Sequence, residues 1–405
     1  MVGDDISTDV RPRSRLLGLD LLRAVAAWLV LLSHVAFWTG ASAEGVMGGL
    51  AARGELGVAV FFALSAFLLS TPFVRRALGD PVPWSARTYL LRRAARIMPA
   101  YLLALLGVVV AAAVLGGAAA DALDIPTVLV HLVIGQGWTG ETFQSFTQSW
   151  SLTTEVTFYL LLPLVAAALA PLAKRATPRA SARHLLVILL CIGVVGLAVQ
   201  AGAALLPGGW WAGMVATSAP GHAAWFALGA AVAVVVEAER AGVAVSEGPL
   251  LEVLRTSPGT LLALAGVLWL LASTSIAGPR GLELPTADQA LAAEVLYGLV
   301  AVCLLLAGTS RGLTEALTDS PAAGLLRWLG DISYAVFLWH VLVLQVAFAV
   351  LDLGLFAAPF GLTLLLVTVT SVGLAHLSWT LVERPVLALA HRRPHAPEPQ
   401  PAPRG

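Results

Sequence analysis

The 405-residue sequence is poor in charge. Asp, Glu, Lys and Arg together make up 12% of it, while hydrophobic residues make up 58% and the mean hydropathy is +0.85. A soluble domain is about a quarter charged. A chain with so few charges cannot clothe a water-facing surface on all sides, so a soluble globular protein is excluded and a polytopic membrane protein is implied. Lysine is almost missing. Lys174 is the only one, and arginine carries the rest of the positive charge, a bias that fits a GC-rich genome. The formal net charge is zero, which gives no hint of a nucleic-acid partner. Only two cysteines are present, Cys191 and Cys303, both inside apolar runs, so no extracellular disulfide framework is expected. No cluster has metal-ligand spacing, no Gly-rich loop could cradle phosphate, and no G-x-S-x-G elbow occurs. No internal repeat is visible, and the first apolar run is too long for a cleavable signal peptide.

What is present is a series of apolar runs of membrane-crossing length. A bilayer core takes about 20 apolar residues per helix. Ten runs qualify, at 16–38, 54–73, 97–115, 149–172, 185–206, 221–238, 259–277, 289–308, 332–352 and 360–381. The expected fold is therefore all-α, with about ten transmembrane helices. Basic residues fix the orientation. With the N-terminus inside, Arg11, Arg13, Arg15, Arg75, Arg76, Arg87, Arg92, Arg93 and Arg96 are cytoplasmic. So are Lys174, Arg175, Arg179, Arg183, Arg240, Arg255, Arg311, Arg327, Arg384, Arg392, Arg393 and Arg404. Only Arg53 and Arg280 fall outside, so both termini are expected in the cytoplasm. Residues 1–15 and the Pro-rich 386–405 read as disordered tails around a transmembrane domain at 16–385. Between the spans, outer residues 116–148 contain "IPTVLVHLVIG", which is too short to cross and suits a re-entrant or interfacial helix.

Ionisable groups within spans are costly and usually serve a function. The first span holds Asp20, Arg23 and His34. Eleven helical steps separate Arg23 from His34, which places them on one face about 16 Å apart along the axis. Asp20, one turn below Arg23, can pair with it. The fourth span begins "QSWSLTTEVTFYLLLPL", with Ser151, Glu155 and Tyr159 on one face. Its depth matches that of His34, so Glu155 is expected to orient the imidazole; the bland alternative is a buried acid satisfied by hydroxyls. In "YLLRRAARIMPAYLL", Arg93 and Arg96 form a possible phosphate fork at the cytoplasmic mouth, or else a positive-inside signal touching anionic lipid. Pro99 could open space for a ligand there. "WLGDISYAVFLWHVLVL" puts His340 near mid-membrane with Tyr334 below it, and Asp331 is expected to cap the helix end. His131 and His222 lie toward the outer surface, His184, His391 and His395 lie in inner or tail segments, and His376 lies in the last span; none points to a role.

Five segments in this order resemble the acyltransferase 3 family of integral membrane acyltransferases. They are "LDLLRAVAAWLVLLSHV", "VFFALSAFLLS", "RRAARIMPAYLL", "WSLTTEVTFYLLLPL" and "LGDISYAVFLWHVLVL", followed by "VERP" at Val382–Pro385. They cover residues 19–385. One departure is Ser65-Ala66-Phe67, where the family usually has glycine in the middle. The chain between its ends has no room for the extracytoplasmic hydrolase-like domain that the family often carries. The resemblance implies transfer of an acyl group, often acetyl, from acyl-CoA to a hydroxyl on a sugar-containing acceptor. It implies His34 as general base or transient acyl carrier and Arg93 and Arg96 on the donor, with acyl-CoA as co-substrate and no resident cofactor or metal. Arg23 joins the donor-binding set, and Ser65, Ser151, Tyr159, Tyr334 and His340 are candidates for acceptor or channel lining. The pantetheine arm of such a donor is comparable in length to the ~16 Å rise between Arg23 and His34. The setting implied is a bacterial plasma membrane, with membrane lipid around the protein. A proton-coupled transporter or exporter is the competing class, since buried His, Glu and Arg also build relays. The missing internal repeat and paired broken helices speak against it.

Overall fold

The computed structural model describes residues 15–80, 82–116, 123–174, 177–243 and 257–391. Outside the described residues lie the N-terminal tail except Arg15, residues 392–405 of the C-terminal tail with His395, the side chains of Lys174 and His391, and Arg11, Arg13, Arg175, Arg255, Arg392, Arg393 and Arg404. Among the described residues there are helices and no strand. Ten principal helices fall on the ten apolar runs: α1 (Leu17–Thr39), α2 (Gly57–Ala77), α3 (Ala86–Leu115), α4 (Trp150–Lys174), α5 (Pro178–Leu205), α6 (Ala223–Arg240), α7 (Pro258–Ala272), α8 (Ala287–Thr309), α9 (Ala323–Val350) and α10 (Phe360–Ser378).

Eight helical stretches among the described residues are long and apolar enough to cross a bilayer. The chain is an all-α polytopic membrane protein. The two shorter runs differ for readable reasons. Helix α6 ends in Glu237, Glu239 and Arg240, which dilute its apolar length. Helix α7 stops at Ala272 after 15 residues, about 22 Å, and a short 3₁₀ turn replaces its expected last turn.

Small residues set how closely the helices pack, as is usual in membranes. A Cβ on Gly229 of α6 would stand 2.0 Å from the Ala63 carbonyl oxygen of α2. One on Gly18 of α1 would stand 2.1 Å from the Gly308 oxygen of α8. Backbone therefore rests on backbone at both crossings. Ala66, where the family usually has glycine, is fully buried, but the tight crossing on α2 falls at Ala63 instead. Helices α1 and α9 share a seam in which Leu31 and Val35 meet Ile332, Val336 and Leu344. A second apolar cluster joins α3, α4 and α9 through Tyr101, Leu152 and Phe337.

The segment between α3 and α4 forms a short helix at Ile125–Leu132, capped by Asp124, and a 3₁₀ turn at Gln144–Ser149. It folds inward on its polar groups. Tyr101 donates to the His131 carbonyl at 2.8 Å, and the His131 ring packs on Phe143 at 4.7 Å. Burial holds the His131 imidazole below its ordinary pKa. Gln148 Nε2 donates to the Leu338 carbonyl at 2.8 Å, which ties this segment to α9.

Two expectations change. Asp331 does not cap α9, because the helix begins at Ala323; its carboxylate takes a hydrogen bond from Arg15 at 2.6 Å. The C-terminal tail does not start at 386 either. The "VERP" segment makes a π turn over Trp379–Glu383, and a further helix runs over Arg384–His391.

Candidate active site

The site begins at the foot of α1. Asp20 is fully buried and holds two guanidinium groups, Arg15 at 2.5 Å and Arg23 at 2.9 Å. The expected Asp20–Arg23 pair is present. Gly330 of α9 lets Asp20 approach, since a Cβ there would lie 2.6 Å from that of Asp20.

Arg23 lines a cavity of about 110 Å³ between α1, α2, α3, α4 and α9. Helix α3 contributes Arg93 and Arg96, one turn apart and both turned into this space. The Arg96 guanidinium lies 5.8 Å from the ring centres of both Tyr334 and Trp379, within reach of each aromatic face. The Nε of Arg93 is buried and has no hydrogen-bond partner among the described residues. Opposite these cations stands Glu155 of α4. Its Oε1 accepts hydrogen bonds from the hydroxyls of Ser65 and Tyr159. Tyr89 of α3 donates to the Tyr159 carbonyl at 3.1 Å, and Tyr334 donates to the Ile97 carbonyl at 3.2 Å. Ser151 completes the polar wall and Phe61, Phe62 and Phe337 the apolar one. Such a lining, with three arginines and one carboxylate, offers guanidinium donors that can grip an anionic group such as a phosphate.

The second part of the site lies further along α1. His34 is half-buried and His340 of α9 is fully buried. His340 Nε2 is 3.2 Å from His34 Nδ1, and the ring centres are 5.0 Å apart. His34 Nδ1 also lies 2.9 Å from the Val30 carbonyl oxygen, and His340 Nδ1 lies 3.2 Å from that of Val336. Phe337 connects the two parts. It lines the cavity, packs edge-on against Phe61 at 5.7 Å, and lies 5.9 Å from the His340 ring.

The acyltransferase 3 family model, an acyltransferase domain, matches residues 16–379. The chain belongs to this family. It is 26% identical over 398 residues to nodulation protein 10 of Rhizobium leguminosarum bv. viciae, covering 91% of this chain and 93% of that one. It is 28% identical over 422 residues to the acyltransferase MdmB of Streptomyces mycarofaciens, covering 96% of each. No solved structure matches. The protein is thus a membrane-embedded acyltransferase, which decides between enzyme and transporter.

Within this acyltransferase, eight residues singled out from sequence meet in one cavity: Arg23, Ser65, Arg93, Arg96, Ser151, Glu155, Tyr159 and Tyr334. His34 and His340 meet each other instead. The expected bond between Glu155 and His34 does not form. Matched depth says nothing of rotation about a helix axis. The face of α4 that carries Glu155 looks at α2 and α3, while His34 looks at α9. Sequence reasoning also passed over a buried cluster at α6 and α8. His222 is bonded to Glu294 at 3.0 Å and stacks on Trp225 at 4.1 Å, and nearby Tyr297 donates to Glu55 at 2.6 Å. The signal was available, because Glu55 and Glu294 are acids inside apolar runs. His376 takes a hydrogen bond from Trp328 at 3.1 Å. Among the described residues no group of three or more His, Cys, Asp or Glu could hold a metal ion.

Proposed function

We propose that this acyltransferase moves an acyl group, acetyl first among the candidates, from acyl-CoA to a hydroxyl of a sugar-containing acceptor in a bacterial plasma membrane. The observation that carries the reading is the convergence of Arg23, Arg93 and Arg96 on one cavity, with Arg23 on the same helical face as His34. CoA carries several phosphates, and guanidinium forks bind phosphate oxygens bidentately. Its arm is comparable to the ~16 Å between Arg23 and His34, so a donor held by the arginines can present its thioester toward the imidazole. The acceptor oxygen then attacks the thioester carbonyl. A C–O bond forms, the C–S bond breaks, and the hydroxyl proton passes to His34 and from His34 to the departing CoA sulfur. Glu155, held by Ser65 and Tyr159, balances the cations and shapes the wall against which the arm lies. A name containing "acyltransferase" on the Streptomyces relative is in keeping with this chemistry.

The test is turnover of radiolabelled acetyl-CoA by purified protein with a panel of glycosylated alcohols, coupled to free-thiol detection. Transfer of label to an alcohol with stoichiometric thiol release is the expected result. Label transfer to no alcohol, with CoA neither bound nor consumed, overturns the proposal. Mass spectrometry of glycans and metabolites from cells with and without the gene identifies the acceptor.

A further inference from the structure

The pair His34–His340 lies outside the lining of the arginine cavity, and among the described residues no carboxylate is bonded to either ring. A base needs its proton-accepting nitrogen defined, and in an imidazole that is set by the hydrogen bond at the other nitrogen. Two backbone carbonyls settle the question here. A carbonyl oxygen only accepts. Val30 O at 2.9 Å from His34 Nδ1 therefore calls for a proton on that nitrogen. Val336 O at 3.2 Å from His340 Nδ1 calls for a proton there too. A neutral His340 protonated at Nδ1 has a lone pair at Nε2, and that lone pair faces His34 Nδ1 at 3.2 Å. The His34 Nδ1–H is thus shared between the Val30 oxygen and His340 Nε2. The reverse assignment, with His340 Nε2–H donating to a bare His34 Nδ1, sets lone pairs against both carbonyl oxygens.

We propose that His340 is a positioning residue for acyl transfer: its Nε2 accepts the Nδ1–H of His34, fixes the neutral tautomer with the lone pair on Nε2, and holds the ring while that nitrogen takes the acceptor's proton. This rests on the reading of His34 as general base. A neutral imidazole occupies the place that a carboxylate often holds behind a catalytic histidine. It meets the same geometric need without a second charge in an apolar seam, where an unpaired carboxylate is expensive. When His34 Nε2 gains the hydroxyl proton, the ring becomes an imidazolium, and the Nδ1–H bond to His340 becomes charge-assisted and stronger. The proton then leaves from Nε2 to the CoA sulfur, and His340 ends the cycle unchanged. The seat of His340 is itself held, because Gln148 Nε2 donates to the carbonyls of Phe337 and Leu338 in the turn just before it.

The experiment compares His340→Gln with His340→Leu in purified full-length protein, with His34→Ala as reference. Glutamine can offer an acceptor oxygen near the site of Nε2, while leucine offers apolar packing alone. Each variant is measured for kcat, KM for acetyl-CoA, and melting temperature. Losing the group that fixes a catalytic imidazole's tautomer costs up to about 10⁴-fold, so His340→Leu should lose at least about tenfold in kcat with KM for acetyl-CoA unmoved. His340→Gln should recover most of that loss. A purely structural His340 gives the opposite order, because leucine suits a buried apolar seam better than glutamine; leucine equal to or faster than glutamine overturns the proposal. If His340→Leu melts too low to assay, the glutamine variant still decides, since a kcat well above that of His34→Ala is expected and a loss as deep as that of His34→Ala refutes the role. The reading beneath fails separately: normal turnover by His34→Ala removes the base, whatever His340 does.

Discussion

The arginine cavity and the histidine pair are neighbours joined by Phe337, yet they are built on opposite plans. The cavity gathers three guanidinium groups and one carboxylate: Asp20 holds Arg23, aromatic faces flank Arg96 and hydroxyls hold Glu155. The pair has two neutral-capable rings and two backbone carbonyls, and among the described residues no carboxylate is bonded to either ring. Fixed charges suit a part that must grip an anion. Imidazoles suit a part that must pass a proton and return to its starting state. The comparison assigns binding to one region and proton transfer to the other, and it predicts that the two can be damaged separately.

The largest effect is expected at His34. His34→Ala should lower kcat by about 10²–10⁴, the usual worth of a general base, while acyl-CoA affinity stays at the wild-type value. Steady-state kinetics beside equilibrium binding on one preparation checks this. Next come the arginines. A hydrogen bond to a charged group contributes about 1.5–3 kcal/mol, so Arg93→Ala or Arg96→Ala should weaken acyl-CoA binding by about 10–100-fold. At saturating donor, kcat should remain near normal. Arg96→Lys should restore only part of the affinity, because an ammonium cannot form the planar fork or spread between Tyr334 and Trp379. Titration of CoA into each variant reads this out, and equal loss of kcat and affinity would blur the division. Smaller still is Trp379→Leu. Removing one aromatic face from Arg96 should cost about 0.5–1 kcal/mol of donor affinity, a change of a few fold.

The smallest prediction is a coupling. Residues in direct contact couple by about 0.5–3 kcal/mol in a double-mutant cycle, and distant ones add within about 0.3–0.5 kcal/mol. Cycles on melting stability should therefore couple His34 to His340, and leave His34 and Glu155 additive. Coupling between His34 and Glu155 as large as that between the two histidines would restore the partner that depth alone had suggested.

Much of this protein could be read before its coordinates. Each of the ten apolar runs became a helix, because a long apolar run in a membrane has hardly any other way to satisfy its backbone. Helical spacing put Asp20 against Arg23, and Ser151, Glu155 and Tyr159 on one face, since those relations are internal to one helix. Relations between helices were harder. Glu155 and His34 share a depth but face different neighbours, and only packing fixes the rotation. That packing depends on contacts such as Gly229 on Ala63 and Gly18 on Gly308, which join residues far apart in sequence. Asp331 was misplaced for a similar reason. The apolar run begins at 332, but the amphipathic turns before it, Ala323 to Gly330, are helical too. The family motifs brought His340 into view, and the structure supplied its partner.

Donor gripping and proton transfer are assigned to separate parts of one site. This division is tested most directly by measuring acyl-CoA binding and acyl transfer side by side in His34→Ala and Arg96→Ala. A crossed result is expected: His34→Ala binds the donor as tightly as wild type and fails to transfer, while Arg96→Ala binds weakly and transfers at near-normal rate once saturated. A His34→Ala protein that loses donor binding in step with transfer, or one that transfers normally, contradicts it.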